Sequence, residues 1–166
     1  MNHYTPSPWS NELTFMTIIS LVLIIGVIIF LGFLYAWHSK YLIYTIPCSI
    51  AITILVVTIL VGVALMPLGV SRSEKGIAIH LLAKKIIIPE EEINTIETYP
   101  IEENTCRIYG AAGFFGYIGL FRNDKLGIFD SYATDFKKSY VIRRKSKRPI
   151  VVTVANPSVL EKFIKN

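Results

Sequence analysis

The chain has 166 residues, a formal net charge of +5 and 52% hydrophobic residues. Its charge is unevenly placed: 16 of the 17 Lys and Arg lie after residue 70. This partition excludes a single soluble globular fold, because a 96-residue tail has too little surface to wrap two long apolar helices on every side.

Residues 1–12 form an N-terminal tail whose only charged side chain is Glu12. From Leu13 to Trp37, 25 residues carry no charge, and from Tyr41 to Val70 another 30 carry none. About 20 apolar residues cross a hydrocarbon core of about 30 Å. The sequence therefore predicts transmembrane helices over 13–37 and 41–68, joined by a turn at 38–40. No Lys or Arg precedes the first run, the run exceeds a signal-peptide core, and Tyr35-Ala36-Trp37 is a poor cleavage site. It reads as a retained anchor.

Gly26 and Gly32 are small positions in the first helix. Thr45, Ser49 and Thr53 recur every four residues in the second, and small side chains let helices approach closely in lipid. That face packs on the first helix, or it seats another subunit or a second copy. No Asp, Glu, Lys or Arg lies within either run, which argues against proton relay, ion conduction or transport by this chain alone. Arg72, Lys75, Lys84 and Lys85 follow the second helix, whereas the turn holds only Lys40. This bias places both termini on the cytoplasmic side of a plasma membrane.

Beyond residue 70 the period becomes two. Strands are predicted near Ile77–Leu81, Lys85–Ile88, Ile93–Tyr99, Arg107–Tyr109, Tyr117–Arg122, Leu126–Tyr132, Tyr140–Arg144 and Ile150–Val154, with turns such as Asn123-Asp124 between them. Asn156 and Pro157 then open a helix whose apolar face is Val159, Leu160, Phe163 and Ile164, with Lys162 and Lys165 near its C-terminal end.

Several local patterns carry a family resemblance. Ile86-Ile87-Ile88-Pro89-Glu90-Glu91-Glu92-Ile93 is a strand, an Ile-Pro and an acidic turn. Arg107-Ile108-Tyr109-Gly110, followed by Gly113, Gly116 and Gly119-Leu120-Phe121, is a glycine-rich centre. With Tyr132-Ala133-Thr134 and the closing Asn156-Pro157 to Phe163, residues 71–166 resemble the pleckstrin-homology-like domain of small bacterial membrane proteins. The resemblance implies a barrel of about seven antiparallel strands capped by a C-terminal helix. It implies a fold and not an activity, since such domains serve lipid binding, protein binding and scaffolding.

Two candidate sites stand out. Gly110, Gly113, Gly116 and Gly119 enclose Phe114 and Phe115. Either they make bulges and tight turns that carry aromatics into the core, or Phe114-Phe115 tips a loop that enters the bilayer or grips a partner. Without a Gly-Lys-Ser/Thr the loop does not read as a nucleotide site. The second site is basic: Lys137, Lys138, Arg143, Arg144, Lys145, Lys147 and Arg148 are seven of twelve consecutive residues. They form a solvated hairpin turn, or a surface that gains about 1 kcal/mol per cation from anionic lipid. No nucleic-acid motif accompanies them.

His3, His38 and His80 are too scattered for a metal site, and Cys48 and Cys106 form no disulfide framework. No cofactor motif and no paired catalytic set occurs. The expectation is a non-enzymatic, membrane-anchored adaptor binding a protein or anionic lipid. Its alternative is an accessory subunit of a larger membrane complex, with the helical hairpin as the specific interface.

Overall fold

The computed structural model describes residues 4–73, 75–101 and 104–160. Their elements are β1 (Tyr4–Pro6), α1 (Asn11–Trp37), α2 (Leu42–Ala64), β2 (Pro67–Ser73), β3 (Gly76–Leu81), β4 (Lys85–Pro89), β5 (Ile93–Thr98), β6 (Cys106–Ala112), β7 (Tyr117–Asn123), β8 (Gly127–Ala133), β9 (Ser139–Arg144) and β10 (Ile150–Thr153).

Ser10 starts α1: its backbone is extended and its side chain accepts the Leu13 N–H. Glu12 in the first turn complements the positive end of the helix. On α2 the half-buried positions include Thr45, Cys48, Ile52, Leu55, Ile59 and Gly62, alternating steps of three and four. Thr17, Leu21, Ile24, Ile28 and Leu31 keep the same rhythm on α1. That 3.5-residue period is the seam of a left-handed helix pair. The remaining apolar side chains point outward, with Leu23 64% and Ile43 75% exposed. Both helices are long and apolar enough to cross a membrane.

The strands form two sheets, ordered β1-β2-β3-β4 and β5-β9-β10-β8-β7-β6. All pairs are antiparallel except β8 with β10. The sheets stack as an open sandwich, so the expected closed barrel is corrected in this respect. Their facing side chains make the main core, with Val70, Ile77, Ile79 and Ile88 from one sheet and Ile96, Ile142 and Val152 from the other. The far face of the six-stranded sheet is also apolar: Phe121, Phe129, Val141 and Val151 pack there beneath Tyr99, Tyr117 and Phe136. Strand β10 is therefore buried along its whole length, as a central strand covered on both faces must be.

Two expectations change at the boundary between helices and domain. The second helix ends at Ala64 rather than near residue 68, and Pro67–Val70 already belong to β2. These residues are apolar because they line a core, where Val70 is 1% exposed. The N-terminal segment is not a loose tail. Tyr4–Pro6 pair antiparallel with Gly69–Ser71. The tie continues where Ser7 N–H donates to Leu68 C=O (2.9 Å), Ala155 N–H to Pro6 C=O (2.9 Å) and Thr134 Oγ1 to Pro8 C=O (2.7 Å).

At the C-terminus Asn156 accepts the Ser158 N–H as the cap predicts, and Pro157–Val159 form a 3-10 turn. Val159 and Leu160 are buried in the core. The rest of the expected helix, including Lys162, Phe163, Ile164 and Lys165, lies outside the described residues, as does His3.

The β1–β2 pairing leaves no room for a side chain at Gly69, where a methyl group would collide with the Thr5 carbonyl and the Tyr4 ring. Gly69→Ala is expected to weaken this sheet by about 1–3 kcal/mol. Hydrogen exchange reads the effect directly: the Ser7 amide, donor to Leu68, loses protection while the six-stranded sheet keeps it.

Candidate functional site

The strands give the domain two ends. One end meets the helices. There Ser10 N–H donates to Thr134 C=O (3.3 Å), and Ala83 N–H and Leu82 N–H donate to Ala64 C=O (2.9 Å) and Met66 C=O (3.1 Å) at the close of α2. The other end carries the β2–β3, β7–β8 and β9–β10 turns.

This polarity divides the basic segment. Lys137 lies at the helix end, with its ammonium 2.5 Å from Glu12 Oε1 in the first turn of α1. The hydrogen bond to Glu12, then its charge, raises the Lys137 pKa. Lys138 is exposed beside it. Strand β9 then runs away from the helices, and five residue steps at about 3.3 Å carry the chain about 16 Å to Arg144. Arg143 pairs with Glu97 (3.1 Å), Arg144 with Asp130 (3.1 Å) and Lys147 with Glu92 (2.6 Å). Arg144 Nε also donates to Arg148 C=O (2.6 Å), bracing the turn.

Lys145 and Arg148 are exposed and form no ion pair among the described residues. They rim a hollow of about 480 Å³ with Asp130, Arg144, Ser146 and Lys147. The seven cations thus do not make one membrane-facing patch. Two are at the helix end, and the rest lie farther out than the screening length of about 8 Å at physiological ionic strength.

The glycine-rich segment forms the end of β6, the β6–β7 turn and the start of β7. Gly110 and Gly119 face each other across β6 and β7, both at positive φ (+108° and +124°), so the two backbones approach closely. Gly113 and Gly116 close the turn through Gly113 N–H to Gly116 C=O (3.2 Å). At its tip Phe115 is buried, 9% exposed, and Phe114 is half-buried. They wedge against the helical hairpin.

Three contacts hold the wedge. Phe115 N–H donates to Thr17 Oγ1 (3.2 Å), which donates to Gly113 C=O (3.3 Å). The Phe115 ring meets Trp9 edge-on at 6.3 Å. Gly62 of α2 lies so close that an added Cβ would stand 2.8 Å from Phe114 Cε1 and 2.9 Å from Phe115 Cδ2. Phe115 holds φ at +58°, an unusual conformation for a bulky side chain, and these contacts fix it there. Neither Thr17 nor Gly62 stands out in the sequence as a partner of this loop. The available signal was the spacing of Thr14, Thr17 and Ser20, the hydroxyls of an otherwise apolar helix, which does not single out Thr17.

The small-residue face of α2 is only partly a packing face. Thr45 borders the seam, whereas Ser49 and Thr53 are exposed on its outer side. Their hydroxyls donate to Thr45 C=O (2.9 Å) and Ser49 C=O (2.8 Å), so no polar group there lacks a partner.

His80, expected alone on its strand, lies 2.7 Å through Nε2 from Ser71 Oγ, with the Tyr4 ring edge-on at 5.5 Å. Ser71 is 6% exposed, and the pair ties β2 to β3 while the Tyr4 ring adds β1 to the contact. Cys48 and Cys106 are free thiols. No group of three metal-ligating side chains occurs among the described residues.

A hairpin of two long apolar helices thus carries an open sandwich of short strands in two sheets. The model of the bacterial PH domain family matches residues 68–166, well over half of the chain, and the chain belongs to that family. No curated protein and no solved structure matches it.

Two outcomes follow from the wedge and the histidine. Gly62→Val is expected to displace Phe114 and Phe115 at a cost of about 1–3 kcal/mol. In a Trp37→Phe background, Trp9 emission reports it, and an unchanged spectrum would count against the wedge. The His80 pKa is lowered from 6.5, first by burial and then by Lys85. The unfolded chain therefore takes up this proton more readily than the folded one. Stability from this source is full above pH 6.5 and declines as pH falls below it. His80→Gln should flatten that decline in thermal unfolding curves recorded from about pH 7 to pH 5.

Proposed function

We propose that the chain is a non-enzymatic adaptor of the bacterial plasma membrane, with α1 and α2 spanning the bilayer and both termini cytoplasmic. The outward apolar surface of the two helices supports insertion, since water would leave it unburied. Lys84, Lys85 and Lys138 at the helix end agree with the positive-inside rule and suit contact with anionic lipid.

The observation that carries the adaptor reading is orientation. The domain is fixed to the hairpin by β1, by the Glu12–Lys137 pair and by the aromatic wedge. Its β9–β10 turn therefore always points away from the membrane and offers Lys145 and Arg148 to the cytoplasm. An acidic segment of a soluble protein fits that surface. The accessory-subunit alternative gains nothing from Ser49 and Thr53, whose hydroxyls are satisfied within their own helix.

The test compares two double variants of the full-length chain purified in mild detergent. Lys145→Glu with Arg148→Glu should lose a co-purifying partner several-fold, while Lys84→Glu with Lys138→Glu should retain it. A partner indifferent to the first pair and lost with the second would move recognition to the membrane end. A partner indifferent to both would end the adaptor reading.

A further inference from the structure

We propose that the groove between the end of α2 and the core-facing side of β6–β8 holds one acyl chain of an anionic phospholipid, with the lipid phosphate on Lys84. The inference rests on the reading that α1 and α2 span the bilayer.

The groove encloses about 430 Å³, within the range of about 300–1,000 Å³ typical of small-molecule sites. Val57 and Val61 of α2, with Leu65 just past its end, form one wall, and Ala111, Ile118 and Tyr132 of the sheet form the other. Val57 and Val61 are each 50% exposed, so the groove opens sideways onto the lipid-facing surface of the helix. Gly110 and Gly119 line its floor. No larger residue can fill it from there, because a Cβ at either position would run into the opposite strand's backbone.

The chemistry of the lining selects the occupant. Thr58 Oγ1 already donates to Ile54 C=O (2.8 Å), so it presents no free donor. A peptide in the groove would leave backbone N–H and C=O groups unsatisfied, a cost that a hydrocarbon chain does not incur. A helix with its side chains is about 10 Å across, so a cavity of this size takes no more than about one turn.

At the mouth, Lys84 is exposed and has no ion pair among the described residues. The β3–β4 turn that carries it is fixed to the last turn of α2 by the Ala83 and Leu82 amides. Its ammonium is thus held where a spanning helix leaves the hydrocarbon and lipid phosphates begin. Tyr109, 79% exposed at the same rim, supplies an aromatic ring suited to that boundary.

The experiment uses the full-length chain in nanodiscs of phosphatidylcholine doped with phosphatidylglycerol, then native mass spectrometry of the released protein. Wild type should retain one phospholipid, enriched in phosphatidylglycerol. Lys84→Gln should lower that enrichment about fivefold, and Ala111→Phe should remove retained lipid of both kinds. Unchanged Trp9 emission, read in a Trp37→Phe background, establishes that Ala111→Phe keeps the domain docked; if it does not, the headgroup preference of Lys84→Gln decides alone. Retention and preference equal to wild type in both variants overturn the proposal. So does a photo-crosslink from Tyr109 to a second copy of the chain. Alkaline carbonate extraction separates the two readings: a chain released without detergent ends the spanning reading and the groove with it. A chain that stays in the membrane but is indifferent to both variants ends the groove alone.

Discussion

Strand β1 precedes the helical hairpin and strand β2 follows it, and the two are hydrogen-bonded to each other. A ladder between segments on either side of a hairpin has a geometric consequence. Both ends of the hairpin must emerge at the same place, and the domain must sit directly on them. The Glu12–Lys137 pair and the Thr17 clamp on the β6–β7 turn then remove the remaining rotation. A domain on a flexible linker would sample many orientations and lose that entropy on binding. Here the orientation is set by folding.

A fixed orientation gives the charges different meanings according to their position along the strands. Lys84, Lys85, Lys137 and Lys138 lie at the helix end. Lys145 and Arg148 lie beyond β9, farther from that end than the screening length of about 8 Å. The acids follow the same division. Glu12 answers Lys137 at the near end, while Glu92, Glu97 and Asp130 answer Lys147, Arg143 and Arg144 farther out. Within the basic segment this pairing leaves Lys138, Lys145 and Arg148 without an ion pair among the described residues.

Much of this architecture was legible in the sequence, and the parts that were not share a cause. The two apolar runs and the period-two segments after residue 70 report local burial, and local burial placed strands β3 to β10. Strand β2 was hidden because Pro67–Val70 are apolar for the core and sit flush against the apolar run of α2. Strand β1 is three residues long and contains Pro6, so only its pairing identifies it. The parallel β8–β10 pairing and the open sandwich are non-local choices that no periodicity encodes. The basic segment read as one feature because its residues are contiguous. A six-residue strand within it separates its two ends in space.

The glycines show most clearly how the site departs from its sequence pattern. Read locally, Gly110, Gly113, Gly116 and Gly119 are bends and turns, and they are. Their larger effect comes from the side chains they lack. Gly62 on α2 leaves a notch that Phe114 and Phe115 fill, which locks the domain to the helical hairpin. Gly110 and Gly119 leave a trough beside that wedge which nothing in the described chain fills. Both spaces arise at the same junction, where a twisted sheet meets the end of a helix. An aromatic pair from this chain occupies one of them, and a lipid tail suits the other. Filling the first with Gly62→Val and the second with Ala111→Phe should therefore separate docking of the domain from lipid retention, although the two substitutions lie on opposite walls of one interface.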